Sequence, residues 1–569
     1  MTVQYYTSLL THHPELLLGS AAFWILPNRA ARGDFVLAAI FVGFTLLVVQ
    51  YHRNEYYRTW SETCLHAMVT LGTGLVALVL NAVLYRSSPW HPLSQHPGPF
   101  WNRITEIPLA LSAYRRDRFL YVRDLHERYG KIVRIAPNAI SINSSAAVNP
   151  IYGSSQCFNK SDAYDLHMKG DGLFFIKERE WHDLRRRSWN RAFSSEAMVN
   201  YRDVLVSTSQ TLVDYLLRCS DRAGAVTLDT CLSHWSFDTM VGVVFGGKQS
   251  EESLMHTEDP FKIVEEARNA LVAFEFLGHL QWLFHILKHF PSSQFRRFES
   301  FSTELARRRL EAKEVFVRDV FSFWVLSFID KSPEDNIDIF LQLDAVADES
   351  DVKVEDLAVD SEVAIIAGTE SVASMSSILF YFILTHQEWY HALRDELDTT
   401  FQESEFDVDV LDNLPILNAI IQEGMRLGSI FSGLQRVVPP EGAFIEGCFF
   451  PGGTLVGVPI YAQHTSEENF SPSPREFRPQ RWLKGGLGPD SKINKSSMLT
   501  FSAGPFSCVG SKLAYKQIRT VLANVLLQLD VSFPPGFDPN VFWGGVRNLR
   551  ATILTEHLMV NVKPRDGRI

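Results

Sequence analysis

Two uncharged stretches near the amino terminus constrain this chain more than any other feature of its sequence. Phe35–Tyr51 runs 17 residues, and Leu65–Tyr85 runs 21, interrupted only by mild polar groups such as His66, Thr70 and Asn81. A helix needs about 20 apolar residues to cross a bilayer, so both read as transmembrane helices. A shorter run, Leu16–Leu26, cannot span unaided. The alternative is a cleaved signal peptide followed by a buried helix. Two long runs separated by the polar stretch His52–Glu62 speak against it. Residues 1–88 therefore read as a membrane anchor. Next comes SPWHPLSQHPGPF, whose prolines at 89, 92, 97 and 99 cannot continue a helix and make residues 89–100 a stiff hinge. Arginines at 86, 103, 115, 116 and 118 follow the last apolar run and place the C-terminal bulk on the cytosolic side. Four N-x-S sequons, at Asn143, Asn159, Asn469 and Asn494, would stay unmodified there.

Composition narrows the remainder. With 46% hydrophobic and 21% charged residues, the chain can bury a large core and is not a disordered scaffold. Its 54 basic against 65 acidic residues give a net charge of -11, which offers nothing to a nucleic acid. The six cysteines, none in a C-x-x-C pair, exclude a disulfide-stapled module and a zinc site built on that pair. Length alone suggests roughly four domains, but after the hinge helical patterns follow one another without a break. They cover Arg115–Tyr129, Arg179–Phe193, Val199–Leu217, Pro260–Phe290, Phe301–Lys331, Val354–Thr385, Gln387–Phe401, Pro415–Leu427 and Gly510–Leu529. Strand-like pieces fall at Ile132–Ile142, Ala443–Val458 and Arg550–Val562. Residues 101–569 thus form one mainly α body with small β-sheets.

The chemistry concentrates at FSAGPFSCVG, residues 501–510, which leads into the helical run SKLAYKQIRTVLANVLLQL. A glycine turn, a cysteine, a glycine and then a helix form a device for presenting one thiolate. The helix N-terminus offers unpaired N–H groups and the positive end of its dipole to the sulfur. Gly504 permits a tight turn, and Gly510 leaves room for a flat ligand at the helix start. A single thiolate in this setting suits an axial bond to haem iron. An ordinary buried cysteine is the plain alternative.

Other segments stand in order before this loop. Glu423 and Arg426, in IIQEGMRL, share a helical face at three-residue spacing, and Pro415 suits the first turn of that helix. Phe477, Pro479, Arg481 and Trp482 form FRPQRW. On these residues the sequence resembles the cytochrome P-450 superfamily: Phe501, Gly504, Cys508 and Gly510 match its FxxGxxxCxG signature, Glu423 and Arg426 its E-x-x-R, and FRPQRW its F-x-P-x-R. The resemblance covers roughly residues 89 to 565 and implies the cytochrome P-450 fold, haem b with Cys508 as axial iron ligand, and a buried triad of Glu423, Arg426 and Arg481.

Within AIIAGTESVAS, Ala367, Gly368, Glu370 and Ser371 resemble the family's distal (A/G)-G-x-(D/E)-(T/S) motif. A mid-helix Ser hydroxyl can bond the carbonyl four residues back and bend the helix. Gly368 bares the backbone at the same turn, and the resemblance makes that groove the seat of dioxygen and a water. It gives Ser371 the proton relay and Glu370 its supply. Thr369 stands beside them, so which hydroxyl serves is open, and a small-residue packing site between helices is the alternative. Trp181 and Arg185 resemble the family's propionate-binding helix, and Arg436 a third donor. Phe506 departs from the pattern, since a basic residue often stands there. Arg186 and Arg187 read as a solvated basic face.

The resemblance implies a haem-thiolate monooxygenase that inserts one atom of dioxygen into a hydrophobic organic substrate, similar to membrane-anchored fungal members of secondary metabolism. With no G-x-G-x-x-G after a strand and no flavin segment, no fused reductase is read and electrons must come from elsewhere; the resemblance implies an NADPH-cytochrome P-450 reductase as their source, with or without cytochrome b5. Lys512, Lys516 and Arg519, on one face after Cys508, either dock that partner or solubilise the helix. Val363, Ala364, Ala367 and Ile430–Leu434 would line the substrate side, with membrane lipid as neighbour and the endoplasmic reticulum as location, the catalytic domain facing the cytosol. Two rivals remain: an isomerase or dehydratase of the same fold needing no external electrons, and a non-catalytic haem-binding membrane protein.

Overall fold

Two apolar helices lead the computed structural model, which describes residues 20–21, 32–53, 59–153, 157–165, 172–245, 253–258, 262–290, 304, 354–402, 404–428, 433, 435–549 and 552–565. Helix α1 spans Gly33–His52 and α2 spans Trp60–Ser87, so both expected spans are helical. A capping box starts α2: Thr59 Oγ1 accepts the Glu62 N–H at 3.3 Å, and the Glu62 carboxylate accepts the Thr59 N–H at 3.2 Å. Between the two helices the Tyr51 and Thr70 hydroxyls meet at 2.8 Å, which satisfies polar groups that lipid would leave bare. Both helices are almost wholly exposed, as lipid-solvated helices are.

The proline-rich stretch expected as a stiff hinge is held against the body. His91, Leu93 and His96 are buried, and His96 stacks on Phe450 with ring centres 5.2 Å apart. The buried Arg134 guanidinium donates to the Arg86 carbonyl at the end of α2 (3.2 Å) and to the Pro137 carbonyl (2.8 Å). Helix α2 therefore leaves the body from a fixed point.

The body is built from α3 (Ile107–Tyr114), α4 (Arg118–Tyr129), α5 (Arg179–Ala192), α6 (Arg202–Ala223), α7 (Leu228–Phe245), α8 (Ile263–His279), α9 (Gln281–Leu287), α10 (Val354–Thr385), α11 (Pro415–Gly428) and α12 (Ser511–Gln528), with the expected helix Gln387–Thr400 between α10 and α11 and short helical pieces elsewhere. Helix α10 is apolar and long enough to cross a membrane, yet 72% of its span is buried. It is the core helix, packed against α7, α11 and α12 through residues such as Trp235, Phe380, Ile420 and Leu522. A helix hydrophobic on all sides can be satisfied by protein as well as by lipid.

The largest sheet has four strands, β1 (Ile132–Ala136), β2 (Ala139–Ile142), β3 (Arg436–Val437) and β4 (Leu455–Gly457), in the order β1-β2-β4-β3. Only β2 and β4 run parallel, with Ile140 opposite Val456. The strand expected over Ile132–Ile142 is a hairpin, because Pro137 has no N–H to extend the ladder. A second sheet pairs Leu529–Ser532 and Val226–Thr227 with Met559–Pro564. The architecture is mainly α with small sheets, as the sequence implied. Helix Pro260–Phe290 breaks at Leu280, and Val199–Leu217 divides at Tyr201 into Ser195–Asn200 and α6. The expected helix Phe301–Lys331 lies, apart from Glu304, outside the described residues, as does the run Leu16–Leu26 apart from Ser20 and Ala21.

Candidate functional site

The loop before α12 is folded by its own backbone. The Cys508 N–H donates to the Phe501 carbonyl at 2.9 Å, Ser507 N–H to Gly504 at 3.0 Å, and Ser502 N–H to Leu499 at 2.9 Å. Gly504 is obligatory: its φ is +67°, and a Cβ there would stand 1.7 Å from the Tyr152 carbonyl oxygen. Of the six cysteines only Cys508 is exposed, two residues before the Gly510 cap of α12. Burial by the surrounding protein nonetheless pushes the thiol up, opposed by the Gly510 N–H and the Arg186 charge. A Cβ on Gly510 would meet the Phe193 ring at 3.7 Å and Cys508 Sγ at 4.0 Å. The bare glycine therefore leaves open surface directly beside the sulfur.

Behind this loop Glu423, Arg426 and Arg481 come together fully buried. The Glu423–Arg426 pair is bidentate, at 2.8 and 2.9 Å, and Arg481 Nε reaches Glu423 at 3.3 Å. Glu423 also accepts from Trp482 Nε1 (2.9 Å) and the Arg478 N–H (3.0 Å). Arg426 in turn donates to the carbonyls of His464 (2.6 Å), Pro474 and Glu476 (3.2 Å). Glu423 and Arg426 are thus hydrogen-bonded at every polar side-chain atom, as buried charges require, whereas Arg481 keeps one buried nitrogen, Nη1, without a partner.

One residue that sequence reasoning missed links this triad to the cysteine loop. His464 is fully buried, with Nδ1 3.1 Å from the Arg426 carbonyl and Nε2 2.9 Å from the Leu499 amide nitrogen. A backbone N–H can only donate, so Nε2 is the acceptor and Nδ1 carries the proton. Burial, with Arg426 nearby, pushes this imidazole down to about 3. A single histidine in YAQHTSEEN gave no motif by which to find it.

On α10 the expected residues divide. Ala367 is exposed and Ser371 half-buried, four residues apart on one face. Ser371 Oγ donates to the Ala367 carbonyl at 2.5 Å, as expected for a mid-helix serine. Thr369 is buried on another face, and its hydroxyl has no hydrogen-bond partner. Glu370 is buried too, and pairs with Arg268 of α8 at 2.9 Å. Burial pushes its carboxyl up, against the Arg268 charge. Gly368 does not open a groove: a Cβ there would meet Met240 Sδ of α7 at 2.4 Å, and its carbonyl accepts from Ser236 at 3.3 Å. That position is the helix-packing site, because two core helices need one small residue where they cross. Ala364 is likewise buried in the core, whereas Val363 is half-buried. Of Ile430–Leu434 only Gly433 is described.

The cationic edge is rearranged relative to expectation. Trp181 is 66% exposed and does not join the site, since α5 turns His182, Arg185, Arg186 and Trp189 inward instead. Arg185 Nε and Trp189 Nε1 both donate to the buried Asp360 of α10, at 2.8 and 3.2 Å. Arg186, expected on a solvated face, donates to the Ser507 carbonyl at 2.6 Å, next to Cys508, because that loop carbonyl faces α5; Arg187 is exposed as expected. Phe506 is the centre of a cation–π cluster: Lys160 Nζ lies 4.9 Å and the Arg436 guanidinium 5.2 Å from its ring. Arg436 also donates to the Tyr164 hydroxyl at 2.8 Å. Lys160 is buried, and burial, then Arg436 and Arg186, drive its pKa well below the ordinary value. Sequence reasoning missed Lys160 because a lone lysine in CFNKSDAY carries no pattern.

Lys516 and Arg519 are not a free docking face. Lys516 pairs with Asp409 at 2.6 Å and Arg519 with Asp412 at 2.6 Å, while Lys512 remains exposed and bonds Ser195 at 2.8 Å. Acidic residues of the turn before α11 have claimed the stripe.

The residues present fit haem. One thiol stands at a helix start beside a bare glycine, and buried cations crowd together where an anion would restore their charge. Among comparisons with known proteins, a family profile described as Cytochrome P450 matches residues 96–546. Tryprostatin B 6-hydroxylase of Neosartorya fischeri is 30% identical over 84% of this chain and 82% of its own length. Cytochrome P450 monooxygenase FCK2 of Fusarium pseudograminearum is 31% identical over 83% and 82%, and monooxygenase phqL of Penicillium fellutanum 28% identical over 90% and 88%.

Proposed function

Because the chain belongs to the cytochrome P450 family, with haem on a cysteine thiolate as cofactor and monooxygenation as its activity, we propose a finer assignment. It oxidises a hydrophobic small molecule of fungal secondary metabolism, with electrons from an NADPH-cytochrome P450 reductase. Kinship with a tryprostatin B 6-hydroxylase supports a substrate comparable to tryprostatin B. The observation that carries the reading is the exposed Cys508 at the start of α12, backed by the fully buried triad. The helix hairpin supports a cytosolic body at the endoplasmic reticulum. The start of α1 and the end of α2 both meet the body, so Arg32 and Arg86 lie on its side of the bilayer and Arg53 on the other.

When bound, haem supplies the iron on which dioxygen is split, one oxygen atom entering the substrate and the other leaving as water. Cys508 would hold the iron through Sγ, and Lys160, Arg186 and Arg436 would meet the propionates. Ser371, on the open face of α10, is placed to hand on a proton, whereas Thr369 is turned into the core. Glu370 is locked to Arg268, so to supply Ser371 it must leave that pair. Burial favours its protonated form and therefore its release. The test is a reduced carbon-monoxide spectrum of the full chain. It is followed by NADPH-dependent turnover in vesicles with the reductase, using tryprostatin B within a panel of hydrophobic small molecules. A haem-loaded protein lacking the thiolate band, or one active with peroxides and never with NADPH, overturns it.

A further inference from the structure

Helices α6 and α7 form an antiparallel pair whose register two polar contacts fix. The Thr208 and Thr239 hydroxyls meet at 2.9 Å, and the Tyr215 hydroxyl stands 3.0 Å from His234 Nδ1. Cys219 lies one turn beyond Tyr215, and Cys231 one turn before His234. The register therefore sets these two cysteines opposite each other, at the end of the pair where residues 224–227 join the helices. Both are free thiols, and they are hydrogen-bonded to one another. Neither takes part in the site built around Cys508.

Their surroundings differ, and the difference separates two roles. Cys231 is 4% exposed and sits in the core with Leu232 and Trp235, whereas Cys219 is only half-buried. The Cys231 thiol and then the Tyr215 hydroxyl hydrogen-bond to Cys219 and hold its thiol below the ordinary value, against the burial that pushes it up. The same contact, together with burial, pushes Cys231 up. A thiol that meets solvent and ionises readily is a nucleophile; a buried neutral thiol beside it is placed to attack second. Two cysteines packed only to fill a helix crossing need neither the hydrogen bond nor this asymmetry.

We propose that Cys219 and Cys231 form an oxidation site, closed to a disulfide by hydrogen peroxide and reopened by small thiols of the glutathione class. The Cys219 thiolate attacks one peroxide oxygen: the S–O bond forms, the O–O bond breaks, and the departing hydroxide takes a proton to become water. Cys231 sulfur then attacks the Cys219 sulfenic sulfur, the S–O bond breaks, and the hydroxyl leaves with the Cys231 proton as a second water. Two thiols have lost two electrons, and one peroxide has become two waters. The link fastens α6 to α7, which carries Met240 and Ser236 against Gly368 of α10. Neither the substrate nor the electron source assigned above enters this inference.

The experiment exposes the haem-loaded full chain, in phosphatidylcholine vesicles, to hydrogen peroxide. Remaining thiols are blocked with N-ethylmaleimide, and tryptic peptides are read by mass spectrometry. Cleavage after Arg218, Arg222 and Lys248 puts the two cysteines on separate peptides, so only a disulfide joins them. The expected result is a linked pair that dithiothreitol separates, formed about tenfold faster than Cys157 is oxidised, since burial pushes that thiol up. In Cys231→Ala the same treatment should leave Cys219 as a sulfenic acid that dimedone traps, and in Cys219→Ala Cys231 should stay reduced. Parent peptides that remain separate, with both thiols labelled or with Cys219 oxidised alone, overturn the proposal whatever the variants do. Oxidation of Cys231 in Cys219→Ala overturns the order of attack.

Discussion

The Nε2 of His464 accepts the backbone N–H of Leu499 at 2.9 Å, and this one bond fastens the cysteine loop to the buried triad. The other ring nitrogen faces the Arg426 carbonyl at 3.1 Å, and Leu499 in turn accepts from Ser502 inside the loop. His464 thus ties the position of the loop that presents the sulfur to the triad.

Replacing His464 with Ala should leave two buried backbone groups unpaired, at a cost of about 1–3 kcal/mol each. The expected signature is haem retained while the thiolate-type carbon-monoxide band declines, with His464→Gln restoring part of it. Equal loss of haem and band in both variants would reduce His464 to a general core residue.

Acid should destabilise the protein through its buried histidines. His464 is held at about 3, against 6.5 for a free imidazole. Between those values the unfolded chain binds a proton that the native protein refuses. Stability is complete above about pH 6.5 and falls as pH drops, by about 1.4 kcal/mol per unit for this residue. His91 and His126, each at about 4, add to the slope in the same direction. Urea midpoints from pH 7 to pH 5 check this, and His464→Gln should flatten the curve.

Removing Glu423 leaves Arg426 and Arg481 as uncompensated buried charges. Glu423→Ala should cost about 3–5 kcal/mol. Far-ultraviolet circular dichroism during denaturation measures that loss.

The hydroxyls on α10 can be separated. Thr369→Val removes a buried hydroxyl that has no partner and should leave stability and coupling unchanged or slightly improved. Ser371→Ala should raise NADPH consumed per product, and Arg268→Ala should lower stability by about 3–5 kcal/mol by stranding Glu370. A larger coupling defect in the Thr369 variant reverses the assignment.

The two glycines of the loop should behave oppositely. Gly504→Ala puts a methyl on the Tyr152 carbonyl and should abolish a folded loop. Gly510→Ala makes only ordinary contacts, so the protein should fold while its haem uptake, read as the ratio of haem to protein absorbance, falls.

Much of the site could be read directly because it is local. FSAGPFSCVG encodes its own turn and helix start, and E-x-x-R puts two side chains on one helical face whatever surrounds it. The uncharged runs likewise became helices, the form in which a segment apolar enough to cross a bilayer satisfies its own backbone. What escaped were contacts between distant segments: Arg436 was named from its motif, but Lys160, 276 residues away in number, shares the Phe506 ring with it and was not. The inward face of α5 was misjudged for the same reason, since Trp181 and His182 are neighbours and only packing chooses which is buried.

By itself, then, the sequence determined the two apolar amino-terminal helices, the mainly helical body, the cysteine presented at a helix start and the residues of the triad, since each depends on spacing along one short segment. Tertiary structure alone decided that Gly368 packs on Met240, that Lys516 and Arg519 are paired internally, that His464 joins triad to loop, and that α1 starts against the body. Those outcomes depend on which surfaces meet, and a contact between distant segments leaves no period in either one.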